Sequence, residues 1–106
     1  MTNTGIILQE LKAHIADKYK ESLSEVILFG SRATGQYQEF SDFDILILLD
    51  GDYNSEDENN ILDLCYDIDL KYNILIDAHL ISKKELSSLR GQQPVFLKAI
   101  KSGIYA

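Results

Sequence analysis

Residues 43–49, Phe-Asp-Ile-Leu-Ile-Leu-Leu, set a carboxylate, Asp44, at the mouth of an apolar run that reads as a strand entering a core. The run from Ile45 to Leu49 is strand-sized and strongly β-prone, and the turn signal Asp50-Gly51-Asp52 ends it. Asp42 stands two residues before Asp44. In a strand, residues i and i+2 point to the same face, about 6.6–7 Å apart at the backbone. Two carboxylates so placed repel each other, and desolvation raises their pKa values. A carboxylate at a core entrance is costly unless a cation compensates it. Arg32 is the basic residue at hand, and a hard divalent cation with oxygen ligands, Mg²⁺ above all, answers the need better.

The rest of the chain supplies an α/β frame. Residues 4–21 carry Ile7, Leu8, Leu11, Ile15 and Tyr19 at helical spacing. Glu25 to Phe29 reads as a short buried strand stopped by Gly30, and residues 31–41 as a loop or short helical turn. Ser55 and Glu58 form a capping box that opens a helix with Ile61, Leu62, Leu64, Cys65 and Ile68 as its apolar face. Ile74 to Ile81 is a third strand. A second capping box, Ser82 and Glu85, starts a helix that Gly91 can end. Pro94 suits the first turn of a last helix whose inner face is Val95, Phe96 and Ile100. The expected fold is a single α/β domain over residues 1–106, with a three-stranded mixed sheet packed with helices. If Gly30 and Asp42 share a site, the first two strands run antiparallel. The crossover through residues 55–71 should then make the second and third a parallel pair.

Asp77 lies inside the otherwise apolar third strand, beside the strand that carries the acid pair. A lone Asp there is unfavourable for both the strand and its burial. Three carboxylates converging from two strands can hold two metal ions about 3.5–4 Å apart, a spacing suited to in-line phosphoryl chemistry. His79 shares the face of Asp77, where contact with nucleotide or metal competes with a partly buried, hydrogen-bonded role. At the other end of the site, Gly30 lets backbone approach a phosphate closely, and the Ser31 hydroxyl and following amides can cradle it. Arg32 can reach the same phosphates. Tyr37 and Gln38, between glycine and acids, either shape the nucleotide's approach or are simply polar loop residues. No Walker-type GKS or GKT is present.

The pattern Gly30-Ser31, ten residues, then Asp42-x-Asp44 in apolar strands resembles the signature of the polymerase β-like nucleotidyltransferase superfamily. The short chain and its ending, PVFLKAIKSGIYA, resemble the minimal nucleotidyltransferase branch, and the likeness runs from the leading helix to the last. That resemblance implies that Gly30 and Ser31 hold the nucleoside triphosphate and that Asp42 and Asp44 bind Mg²⁺. Asp77 matches the third family carboxylate, which helps to activate the acceptor hydroxyl. The implied reaction moves AMP from ATP to a hydroxyl, releasing pyrophosphate. Many minimal members are antitoxins paired with a HEPN-type ribonuclease toxin that they can adenylylate. Such a toxin is the expected partner. A catalytically weak partner-binding module and transfer to a small molecule are the alternatives.

Charge and composition set limits. The net charge of −7 disfavours direct binding of long nucleic acid, whose readers show basic faces, and suits a basic partner protein. No apolar run approaches the roughly 20 residues of a membrane span. The lone Cys65 fits a reducing cytoplasm. Self-association stays open.

Overall fold

A computed structural model of the chain describes residues 3–35, 42–88 and 92–106; Tyr37, Gln38 and Gly91 lie outside the described residues. Helix α1 (Asn3–Tyr19) leads into β1 (Leu23–Phe29), a short α2 (Ser31–Thr34) and β2 (Phe43–Leu49). Then follow α3 (Ser55–Tyr72), β3 (Ile76–Ser82), α4 (Lys83–Leu86), α5 (Pro94–Ser102) and β4 (Ile104–Tyr105). Strands β1 and β2 pair antiparallel, with Phe29 opposite Asp44, and β2 and β3 pair parallel, with Asp44 opposite Asp77. Both pairings match the expected mixed topology.

The sheet has four strands rather than three, in the order β3-β2-β1-β4. The added strand is only two residues long and pairs antiparallel with β1, Ile27 opposite Tyr105 and Leu28 opposite Ile104. It is too short to show an alternating pattern, which is why the sequence reading missed it. Gly103 makes its turn: a Cβ there would run into the Ala99 carbonyl oxygen and the Ile27 side chain. The strand is held further by the Ala106 amide, which donates to the Val26 carbonyl at 2.8 Å.

Two apolar layers sandwich the sheet. On one face Val26, Leu28, Ile45, Ile47 and Leu80 pack against Ile7, Leu11 and Ile15 of α1 and Ile61, Cys65 and Ile68 of α3. On the other, Ile27, Phe29, Leu46, Leu48 and Ile81 meet Phe96 and Ala99 of α5. Strand β2 is therefore covered on both sides, which is what an unbroken Ile-Leu-Ile-Leu-Leu run requires. Each such side chain contributes roughly 1.5–3 kcal/mol when fully buried.

Three local expectations shift. The capping box of α3 sits one residue earlier, with Asn54 as cap and Asp57 returning the bond, because Asn54 takes the extended conformation a cap needs. Leu62 is exposed, so the inner stripe of α3 is narrower than the sequence pattern. In α5 the buried positions are Phe96 and Ala99, and Val95 is exposed. The Ser82–Glu85 box is formed as expected.

Candidate active site

The α5 layer covers Leu46 and Leu48 but stops short of the start of β2, so Asp44 lies at the open end of that face. The parallel register sets Asp44 and Asp77 side by side on adjacent strands with side chains on the same face. One ligand atom each from Asp44, Asp77 and His79 lies within 4.8 Å of the others. His79 Nε2 is 3.4 Å from Asp77 Oδ2, and its ring leans on Phe29, centroids 5.5 Å apart, and on Phe96 edge-on at 6.4 Å. Two aromatic walls thus fix the imidazole while leaving its nitrogen beside the carboxylates.

Electrostatics mark the same spot. Burial, foremost, pushes the Asp44 carboxyl above the ordinary carboxylate range, and the charge of Asp77 adds to it. His79 opposes the shift, while a hydrogen bond with Asp77 and the more distant charge of Asp42 reinforce it. Like charges held together at a core entrance make a poor resting place for two anions and a good one for a cation.

Gly30 closes the site from β1. It is the residue after Phe29, whose partner in the ladder is Asp44, and it has φ 75° and ψ −155°. That combination is essentially reserved for glycine. A Cβ on Gly30 would overlap Asp44 Oδ2, so the glycine gives the carboxylate its room. The Gly30 carbonyl accepts from the amides of Ala33 and Thr34 at 3.1 and 3.3 Å, which folds Ser31 into the first turn of α2.

The structure gathers some of the sequence-derived candidates and separates others. Gly30, Asp44 and Asp77 meet, and His79 joins them. Its signal was the i, i+2 relation to Asp77 in one strand. Asp42 is exposed immediately before β2 and stands outside the close group. Arg32 is seated over the Phe43 ring, 4.3 Å from its centroid, and lines a cavity with Asn3, Thr4, Ile7, Tyr72 and Ile74. Those residues belong to the α1–α3 side, across the sheet from the carboxylate pair. Among the described residues no helix is long and apolar enough to cross a membrane.

The chain is a small α/β protein whose mixed sheet presents an acid pair beside a glycine-tight strand end. The chain belongs to the nucleotidyltransferase domain family, whose sequence model matches residues 8–101. Two proteins of Methanocaldococcus jannaschii that carry the provisional name protein adenylyltransferase are similar to it. MJ0604 is 38% identical over 79 residues, covering 74% of this chain and 73% of its own. MJ0141 is 39% identical over 82 residues, covering 77% and 82%. The fold is also that of a crystal structure of a mutant toxin–antitoxin, MntA–HpeT. That match has a TM-score of 0.60 at 16% identity, over 92% of this chain and 69% of the other.

Proposed function

We infer that the protein transfers AMP from ATP to a hydroxyl of a partner protein, with Mg²⁺ as its metal. The observation that carries this reading is the in-register pair Asp44–Asp77 beside Gly30, with Asp44 raised by burial. The names of the two relatives support protein as the acceptor. The likeness to a toxin–antitoxin structure, together with the minimal-nucleotidyltransferase pattern, supports a toxin of the HEPN type as the partner.

The donor set fits a hard divalent cation: carboxylate oxygens and one imidazole nitrogen within 4.8 Å, in a place that disfavours bare anions. Asp44 and Asp77 would hold the metal, Asp42 is the further carboxylate of the set, and His79 stands as an additional ligand or a support for Asp77. When bound, the metal supplies charge neutralisation to the triphosphate and to the developing negative charge of transfer. Gly30 keeps the chain close to the phosphates, and Ser31 offers its hydroxyl and amide to them. Asp77, half exposed, takes the acceptor proton as the hydroxyl oxygen bonds to the α-phosphorus. The bond from that phosphorus to the bridging oxygen breaks, and pyrophosphate leaves.

The test is incubation with α-labelled ATP, Mg²⁺ and the product of the adjacent gene. Label should appear on that protein and vanish with Asp42→Ala plus Asp44→Ala. Transfer that survives the double substitution refutes the assignment.

A further inference from the structure

We propose that the acceptor is read as an extended segment, added as a further strand to the free edge of β3, with its hydroxyl residue beside Asp77. This inference rests on the transfer reading above and names the form in which the substrate arrives.

Strand β3 is an edge of the sheet. The Leu75 carbonyl accepts from the Phe43 amide at 2.8 Å, so odd-numbered residues here turn their peptide groups towards β2. The even-numbered ones face out. Three outward groups already have partners beyond the sheet. The Ile76 amide donates to Asp69 Oδ1 at 2.9 Å and the Ser82 amide to Glu85 Oε1 at 3.1 Å. The Leu80 carbonyl accepts from the Tyr53 hydroxyl at 3.2 Å. Between these tethers, among the described residues, the Ala78 amide and carbonyl and the Leu80 amide are left on the outer edge. The strand, Ile-Asp-Ala-His-Leu-Ile-Ser, has no proline or lysine of the kind that protects exposed edges.

An apolar stripe runs along this edge. Leu62, Tyr66 and Leu70 follow one another at four-residue spacing on α3 and are 40, 58 and 65% exposed. Leu62 lines one groove with Ala78, His79, Leu80 and Glu58, which sets the stripe beside the strand. An added strand would lie about 4.8 Å from β3. Its alternate side chains would rest on the stripe, and the others would share the face of Asp77 and His79. A residue directly opposite Asp77 would have its Cβ about 4.5–5.5 Å away, within reach for a hydroxyl.

Charge selects the occupant. Glu58 lines the groove, Asp77 precedes its Ala78 on β3, exposed Asp63 lies on the same helix as Glu58, and the chain carries −7 overall. The fitting segment is extended, apolar on one face and basic on the other, with a hydroxyl residue at its centre.

The probe is a nine-residue peptide alternating valine with lysine around a central tyrosine on the lysine face. On binding to the full chain, exchange of the Ala78 and Leu80 amides should slow at least tenfold. Of two versions N-methylated at alternate amides, one should lose this protection and the other keep it, because only one edge of the peptide pairs. Ala78→Pro should abolish the protection, since it removes an outward donor and no ladder bond. Leu62→Lys with Tyr66→Lys, at exposed positions that leave folding intact, should weaken binding at least tenfold. Equal binding of both methylated peptides overturns the proposal, as does protection elsewhere or none at millimolar peptide. Protection that grows with protein concentration alone also overturns it, in favour of a second copy on the edge. AMP transfer to the tyrosine is read separately: docking without transfer upholds the strand addition and counts against the nucleotidyl chemistry.

Discussion

Gly30→Ala tests whether the glycine serves the phosphate loop alone or holds the carboxylate pair in place. At φ 75° and ψ −155° an alanine sits in a region that costs on the order of 1–3 kcal/mol. For a chain of this size that lowers the melting temperature by roughly 5–15 °C. The new methyl would also collide with Asp44, whose Oδ2 occupies its place and whose Cγ lies 3.2 Å off. The carboxylate can swing away, but only by leaving Asp77. Because a misplacement of about 1 Å at a reacting centre costs on the order of a hundredfold in rate, AMP transfer should fall at least that far. Gly35→Ala is the control: φ is 79° and, among the described residues, nothing lies within 4 Å of a Cβ, so it meets a backbone penalty without touching Asp44. Thermal melts by circular dichroism and label transfer from α-labelled ATP should show both variants destabilised and only Gly30→Ala inactive. If the two variants transfer AMP equally well, Gly30 is not the spacer that positions Asp44.

Asp44→Asn bears on charge. Burial first, and Asp77 next, raise the native carboxyl above its unfolded value, so this group favours folding most at acid pH and loses that contribution as pH climbs through the raised value. At pH 7 without divalent ions the variant should melt higher than the parent; Mg²⁺ should raise the parent's melting temperature, reversibly with EDTA, and leave the variant unmoved. An unresponsive parent would count against the metal. Burial pushes the Cys65 thiol up to about 12, so at pH 8 its thiolate is on the order of one in ten thousand. Labelling with a thiol reagent should therefore track unfolding by denaturant, and fast labelling of the native chain would contradict its place in the core. Asn54→Ala should cost about 1 kcal/mol in urea melts through loss of the α3 cap, whereas Ser55→Ala should be nearly neutral. The reverse order would restore the cap to Ser55.

The sequence was most readable where one physical demand dominated. Five consecutive aliphatic residues after Asp44 need cover on both faces, and β2 receives it from α1 and α3 on one side and α5 on the other. Asp77 stood out because a carboxylate in an apolar strand needs a reason, and the parallel register supplies it by setting that residue against Asp44. Weaker signals failed for identifiable causes. Ser55-x-x-Glu58 and Asn54-x-x-Asp57 are both capping patterns, and only backbone conformation chooses between them. Leu62 repeats at helical spacing, yet that periodicity reports a surface that wants covering and not what covers it. The pairing of β4 depends on a close approach at Gly103 that no local propensity encodes. Arg32 follows Gly30-Ser31 in sequence, but its guanidinium stacks on Phe43, whose ring belongs to the opposite face from Asp44.

The spacing between Gly30 and the acids carries a stricter meaning than a roll of ligands. Gly30 and Asp44 are fourteen positions apart in the chain. They become neighbours because β1 and β2 run antiparallel with Phe29 opposite Asp44. A slip of one residue in that ladder would turn Asp44 into the α1–α3 layer and send Ile45 to the open end of the other face. Both layers are apolar, so what opposes such a slip is the fit of Val26 and Leu28 into one layer and of Ile27 and Phe29 into the other, together with the cost of driving the Asp44 carboxylate into the closed α1–α3 side. Core packing therefore sets the register, the register sets glycine against carboxylate, and the glycine's missing side chain gives Asp44 the space to face Asp77. The motif is legible in the sequence because two strands must pack, and its chemistry follows from where that packing leaves a charge.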